Sequence, residues 1–502
     1  MSKTDIQKIG YFIKKLRERK GLTQGEFAKA LATSQSAVAR MEKGEQNFST
    51  ELLAKISKVL EHQIISINNS IDFQIVGGKK LHGSIATNFS KNGSVGLLCA
   101  SLLNRGKTTL HGIAHIEEVQ RVIEILESIG VKITWINQNS LEIIPPKTLN
   151  LKNINIESAI RTRSIVMFMG PLIHLFKDFS LPHAQGCKLG KRTVSAHIYA
   201  LEHLGVKVKT TNDSYEVSNN KLKPAEITMY EAGDTACENV LTATSKIDGT
   251  TVIKFASANY MVQEICFFLE KLGVKIDGVG TSTLTVHGIK EINKDIEYTN
   301  SEDPIESMMF ISAAIATDSQ ITITRCPVDF LTLELYKLEK MGLKYKILKK
   351  YFSYNNRTKL IDIEIFPSKL KAPTDKIHAN PYPGINMDNL PFFVPICIKA
   401  SGTTLIHDWV YENRAIYFTE LNRLGASINL IDPHRVYVTG GTELKAAQIV
   451  CPPALRPSMV ILIAMLGAQG TSILRNVYMI SRGYEEIAER FNSLGADIKI
   501  LK

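Results

Sequence analysis

Apolar residues first recur at helical spacing at Ile9, Phe12, Ile13 and Leu16, and Gly21 ends that stripe. Thr23 opens a second helix with Glu26 three residues on, a capping-box pattern, and Phe27, Ala28 and Leu31 form its inward face. Ser34 caps a third helix, with Ala37, Val38 and Met41 inward and Gly44 as its stop. Thr50 to Leu60 makes a fourth, with Leu53, Ile56 and Leu60 on one face. From Gln63 to Ser70 the period is lost, and Asn68-Asn69-Ser70 reads as a short linker.

Beyond the linker one pattern recurs six times. A helix ends in an apolar residue and a glycine, then enters a strand, at Gly130, Gly205, Gly273, Gly342, Gly425 and Gly495. The period is roughly 70 to 80 residues, too long for an ordinary solenoid unit. Each glycine suits the left-handed position that closes a helix, where a side chain is costly. A shared strand start appears at Gly249-Thr250-Thr251, Gly402-Thr403-Thr404 and Gly470-Thr471-Ser472. Six mixed α/β units exceed one core, so three per domain with a cleft between is the economical arrangement. The expected division is a helical domain over 1–66, a linker and first strand or strands joining the second globule over 67–90, one globule over 91–298, and another over 299–502.

Composition narrows the setting. Of 502 residues, 44% are hydrophobic and 22% charged, as in ordinary globular chains, and no run approaches the ~18 apolar residues of a membrane span. Met1 to Lys20 is charged throughout and has no secretory apolar core, so a cytoplasmic protein without a membrane partner is expected. The seven cysteines include no Cys-x-x-Cys pair and no metal-type spacing, so free thiols and no metal are expected. A net charge of +11 favours partners that carry phosphates, without separating nucleic acid from an anionic small substrate.

Four short helices with a tight turn between the second and third follow the helix-turn-helix plan. Leu22-Thr23-Gln24 and the run from Ser34 to Gly44 resemble the Cro/repressor-type family. The resemblance implies duplex DNA as a partner and a homodimer, with the third helix in the major groove. Gln35, Ser36 and Arg40 would face base edges, and Gln24 would meet a phosphate at a helix start.

In the large part, Lys91-Asn92 stands at a strand-to-helix junction. Leu181 to Arg192 is glycine-rich and polar, with Cys187 beside Lys188, Lys191 and Arg192; such cations lower a thiol's pKa. Pro381-Tyr382-Pro383-Gly384-Ile385-Asn386-Met387-Asp388 ends in a carboxylate. Arg163, Arg414, Arg456 and Arg482 each sit in a motif of their own, and Glu238-Asn239-Val240-Leu241 opens a helix. These strings, over about Ile71 to Lys502, resemble the enolpyruvyl transferases, most closely the UDP-N-acetylglucosamine 1-carboxyvinyltransferases. No shikimate-type Ser-Lys-Ser segment lies near Lys91.

The resemblance implies an α/β fold of the α+β kind: a two-domain inside-out α/β barrel of six repeats, here preceded by the small all-α domain. It implies transfer of the enolpyruvyl group of phosphoenolpyruvate to a hydroxyl of UDP-N-acetylglucosamine, a peptidoglycan precursor, or a related nucleotide, with no cofactor. Lys91, Cys187 and Asp388 would be catalytic, Cys187 as proton donor to C3 and target of fosfomycin, Asp388 as base. Asn92, Arg163, Arg192, Arg414, Arg456 and Arg482 would bind substrate.

Three departures stand out. Ala454 replaces the family aspartate two residues before Arg456. Thr193-Val194-Ser195-Ala196 replaces Pro-Val-Asp-Leu before His197. Ser481 replaces an aspartate before Arg482. Asp234, in Gly233-Asp234-Thr235 where the family has Ser-Val-Gly, would oppose a nucleotide diphosphate unless it points away. Two functions stay open: an enolpyruvyl transferase carrying a DNA-binding regulator, or a transcription regulator whose transferase-like part only senses phosphoenolpyruvate or a UDP-sugar.

Overall fold

A computed structural model describes residues 3–46, 48–60, 71–184 and 193–501. The chain forms two compact units, Met1–Ile71 and Asp72–Leu501. The reading of 63–70 as a linker lies outside the described residues, as do Cys187, Lys188, Lys191 and Arg192.

The first unit holds helices Lys3–Arg19, Gln24–Ala30, Gln35–Lys43 and Thr50–Leu60. Thr23 and Glu26 make the reciprocal capping box, and Ser34 accepts from the Ala37 N–H. Ile13, Phe27, Val38, Met41, Leu53 and Ile56 form a core of their own. The stripe of the first helix runs through Ile13, Leu16 and Arg17, which turns Phe12 to its flank, 40% exposed rather than inward. Gly10 permits the first and third helices to touch, because a Cβ there would overlap the Met41 carbonyl oxygen. Arg17, buried, pairs with Glu42 at 2.5 Å.

The second unit carries six sheets, five of four strands and one of three. Its recurrent copy is a short edge strand, a buried helix, a central strand parallel to the edge strand, a second helix, and an antiparallel pair. The copy over 226–288 shows it: Glu226–Thr228, helix Asp234–Thr244, Gly249–Lys254, helix Tyr260–Leu272, Lys275–Asp277 and Thr283–Gly288. The six repeat glycines close their helices with φ between 90° and 106°. The first helix of each copy lies inside and the sheets outside; every residue of Pro304–Ala316 is buried, as is Arg456 to Leu466 in Leu455–Gly467.

Three sheets draw their strands from residues 108–299, here the first triad. Three draw them from 72–86 and 321–501, the second triad. Asp72–Gly77 is inserted between Gly470–Arg475 and Ile498–Leu501, so the start of this unit completes the sixth copy. Ser84–Ala86 pairs with Ile321–Pro327, and Ile296–Thr299 with Thr108–His111. The chain thus crosses between triads twice, and the two crossings lie side by side. Ser90 N–H donates to Ser301 O at 2.7 Å, and Asp303 N–H to Asn88 O at 2.8 Å.

Candidate active site

The site grows from the ends of the inward helices at this double crossing. Ser90 caps helix Lys91–Ala100, accepting from the Gly93 N–H. Asp303 caps Pro304–Ala316 through the Ile305 N–H at 2.8 Å, and its other oxygen lies 3.4 Å from the Lys91 N–H. Lys91 Nζ donates to Glu118 at 3.1 Å, and Arg482 approaches the same carboxylate at 3.9 Å. Asn92 donates to the Tyr260 hydroxyl at 2.9 Å.

Asp388 ends a loop held from beneath by the buried Glu334, which accepts from Asn386 N–H and the Asn389 amide. Asn386 Oδ1 accepts from the Asp388 N–H at 2.8 Å. Burial alone would raise the Asp388 pKa; Arg456 at 2.9 Å and Arg414 at 3.7 Å outweigh it and hold the group below the ordinary carboxylate range. Arg456, buried, also donates to the Tyr484 hydroxyl at 2.6 Å. Arg414 is committed: it bonds both Asp408 oxygens at 2.5 and 2.8 Å, donates to Met387 O, and lies over Tyr411. It therefore fixes the backbone before Asp388. Asp303 is pushed above the usual range by burial, with Arg456 opposing.

The structure brings Lys91, Asn92, Asp388, Arg414, Arg456 and Arg482 into this connected set. Arg163 makes other contacts, donating to Thr193 O at 2.9 Å. Burial, and then Arg163, lower His197 to about 3, so it stays neutral beside Asn239. Asp234 is turned to Ser257 at 2.5 Å and the Asn259 amide at 3.0 Å. Glu238 is buried and held far above the usual range, first by burial and then by Asp234, so it is a neutral interior group. Ala454 is fully buried at the start of Leu455–Gly467, with no side-chain cap.

Sequence reasoning missed Asp303, Tyr260, Glu118, Asp408 and Glu334. Asp303 had a signal: Asp-Pro before a long apolar run is a helix start, as Ser90-Lys91 is. Asp408 lies only six residues from Arg414. Tyr260 has no local signal, being brought to Asn92 from 168 residues away.

An ionised, arginine-held carboxylate opposite the start of a lysine-bearing helix suits handling of an anionic substrate and a hydroxyl proton. Inward helices and outward sheets are the architecture of the enolpyruvyl transferase family. The chain belongs to that family: residues 75–491 match the family described as EPSP synthase (3-phosphoshikimate 1-carboxyvinyltransferase). Residues 13–61 match the helix-turn-helix family. It is 32% identical to the UDP-N-acetylglucosamine 1-carboxyvinyltransferase of Bradyrhizobium diazoefficiens over 86% of this chain and 98% of that one. The enzyme of the same name from Treponema denticola is also 32% identical, over 86% and 99%. Among solved structures, the enolpyruvyl transferase NikO from Streptomyces tendae matches with a TM-score of 0.73 at 21% identity, over 86% and 99%. EPSP synthase from Acinetobacter baumannii matches with 0.68 at 17%, over 86% and 100%. Among the described residues, no helix is long and apolar enough to cross a membrane, and no cluster of His, Cys, Asp or Glu could hold a metal.

Proposed function

We propose that this chain transfers the enolpyruvyl group of phosphoenolpyruvate to a hydroxyl of UDP-N-acetylglucosamine or a closely related nucleotide. The observation that carries it is the Asp388 carboxylate held ionised by Arg456 in a set that also holds Lys91 and Arg482. Asp388 takes the acceptor's proton as the oxygen attacks C2, and Cys187 gives a proton to C3, which becomes a methyl group; the C2–oxygen bond to phosphate then breaks as a methyl proton passes back to the Cys187 thiolate, and the departing phosphate takes up the proton held by Asp388. Lys91, Arg456 and Arg482 face the phosphate and carboxylate, with Arg163 and Arg192 contributing further positive charge. Their present partners, Glu118 and Asp388, would share them with the bound anion, and Asp388 then becomes a stronger base as Arg456 is drawn off.

Ala454 favours a second reading, in which the domain binds these ligands without turning them over, because a proton-transfer partner of the relatives is missing. In both readings the first unit binds duplex DNA as a dimer through Gln24, Gln35, Ser36 and Arg40. Phosphate release from phosphoenolpyruvate with UDP-N-acetylglucosamine, alongside calorimetric binding of each, decides between them. Turnover abolished by Asp388→Asn supports the enzyme; tight binding with no phosphate release supports the sensor.

A further inference from the structure

The hairpin of Lys344–Phe352 and Lys359–Phe366 is longer than its counterparts. Its strands have 9 and 8 residues. The equivalent pairs have 6 and 5 in the first copy, 5 and 6 in the second, 3 and 6 in the third and 6 and 5 in the fifth. The extra length carries the turn at 353–358 off its own sheet and onto helix Tyr260–Leu272 of the first triad. There Arg357 donates to Glu270 at 2.8 Å, and its guanidinium lies 4.5 Å over the Phe267 ring.

The turn is stiff. Asn355 accepts from the N–H groups of Arg357 and Thr358, both at 3.0 Å, and donates to the Thr358 hydroxyl. Its base is fixed as well. Arg325 lies 4.5 Å over Tyr354 and pairs with Glu302 in the crossing, and Tyr351 donates to Asp362 at 2.6 Å.

The gripped helix leads into the site. Its N-cap, Asn259, donates to Asp234 and accepts from the Asn386 amide at 3.4 Å, and Tyr260 accepts from Asn92. Midway along it, Glu264 is bound by Tyr298 and Ser301 at the second crossing, which gives the helix a pivot. Phe267 and Glu270 stand roughly 10–15 Å along the axis from Tyr260. A hydrogen-bonded helix passes a tilt over that length, so a grip at one end sets the position of the other.

We propose that Arg357 is a positioning residue. From a hairpin of the second triad it holds the far end of helix Tyr260–Leu272, and thereby sets Asn259 and Tyr260 against Asn386 and Asn92. The consequence for acceptor binding rests on the proposed transferase reading; the mechanical coupling does not.

Hydrogen exchange of the full-length, ligand-free protein, read by mass spectrometry, tests it. Arg357→Gln and Arg357→Glu should each quicken exchange at the amides of 260–266 by about five-fold, the scale of one exposed ion pair with a cation–π contact. Adding Glu270→Arg to Arg357→Glu should recover most of that change. Where phosphate release with UDP-N-acetylglucosamine is measurable, Arg357→Gln should raise KM for the acceptor several-fold with a smaller change in kcat. Unchanged exchange at 260–266, faster exchange spread evenly over the chain, or no recovery in the charge-swapped pair overturns the proposal. The exchange arms need no turnover, so they stand or fall apart from the transferase reading.

Discussion

Arg456 donates to Asp388 at 2.9 Å and, through its other terminal nitrogen, to the Tyr484 hydroxyl at 2.6 Å, so one buried guanidinium holds the carboxylate ionised while a phenol holds the guanidinium in place. Removing it leaves burial as the main influence on Asp388, opposed by Arg414 at 3.7 Å and by the charge of Lys91. Arg456→Ala should therefore raise the Asp388 pKa and move the acid limb of the pH–rate profile upward. It should lower kcat/KM for phosphoenolpyruvate about 10²–10³-fold, the scale of one lost electrostatic contact. Stability should fall by about 1–3 kcal/mol, because a half-buried carboxylate loses its nearer partner while Arg414 remains. A pH–rate profile and a urea melt read both.

Ala454 sits where a helix-capping side chain would stand, with non-helical φ and ψ of −143° and 127°. Ala454→Asp should cap the Arg456 N–H only, because the next position, Pro457, has no N–H to offer. The gain from that cap should lie near the low end of the usual range, about 0.5 kcal/mol, with the buried setting opposing it. Phosphate release should rise at the same time by about ten-fold or more, as a proton-transfer partner returns. A melting curve paired with steady-state turnover separates the two effects.

Glu264 is pushed up to about 7 by burial, against hydrogen bonds from Ser301 and Tyr298 and with Glu302 adding to the shift. A carboxyl raised in the folded state binds more protons than in the unfolded chain between about pH 4.5 and 7. Its contribution to stability is complete below that window and is lost as pH rises through 7. Glu264→Gln, which cannot titrate, should remove about 1–3 kcal/mol of this decline. Denaturant unfolding of the large unit at pH 5 and pH 8, parent against variant, is the measurement. An equal decline in both would assign the pH dependence to other groups.

In the small unit, exposure and burial separate two neighbouring charges. Arg40 is exposed on the third helix, whereas Glu42 is buried and accepts from Arg17 and Gln24. Arg40→Ala should weaken duplex binding by about 1–3 kcal/mol and leave the melting temperature of the unit unchanged. Glu42→Ala should cost about 3 kcal/mol of stability, because Arg17 is left buried without its partner. Salt-dependent DNA titration and thermal melting of each variant distinguish reading from folding. Gln24, expected at a phosphate, is already bonded to Glu42 at 2.8 Å, so Gln24→Ala should affect stability as well as affinity.

Cys99, Cys237, Cys266, Cys326, Cys397 and Cys451 are all free and buried. Burial raises each thiol, Cys451 to about 11 and Cys237, Cys326 and Cys397 to about 12. Fosfomycin or another epoxide at pH 8 should therefore alkylate Cys187 first. Peptide mass mapping after brief treatment shows which of the seven carries the adduct; equal labelling at several would refute a selectively reactive thiol.

Short-range backbone demands were legible along the chain. The six helix-closing glycines, the Thr23–Glu26 capping box and the Ser34 and Gly44 helix ends each depend on one residue and its immediate neighbours, and each appears in the structure as read. The motif residues Lys91, Asn92, Asp388, Arg456 and Arg482 were legible for a related reason, since their flanking strings carry the family likeness. What each side chain touches was not. Arg414, expected to bind substrate, donates to Asp408 and Met387, partners that its own motif does not reveal. For Asp234 the sequence left two directions open, and it is turned to Ser257 and the Asn259 amide.

By itself, then, the sequence determined a small helical domain ahead of a mixed α/β part, the six helix-closing glycines and the family, because periodicity, caps and local strings are properties of adjacent positions. Only the tertiary structure decided which groups meet, because that depends on contacts across great chain distances: the Lys91 N–H with Asp303, 212 residues apart, the Asn92 amide with the Tyr260 hydroxyl, and Arg456 with Asp388. It also decided that the long hairpin over 344–366 ends on helix Tyr260–Leu272. A strand pattern gives the length of a hairpin, but the twist and stacking of whole sheets decide where its tip arrives.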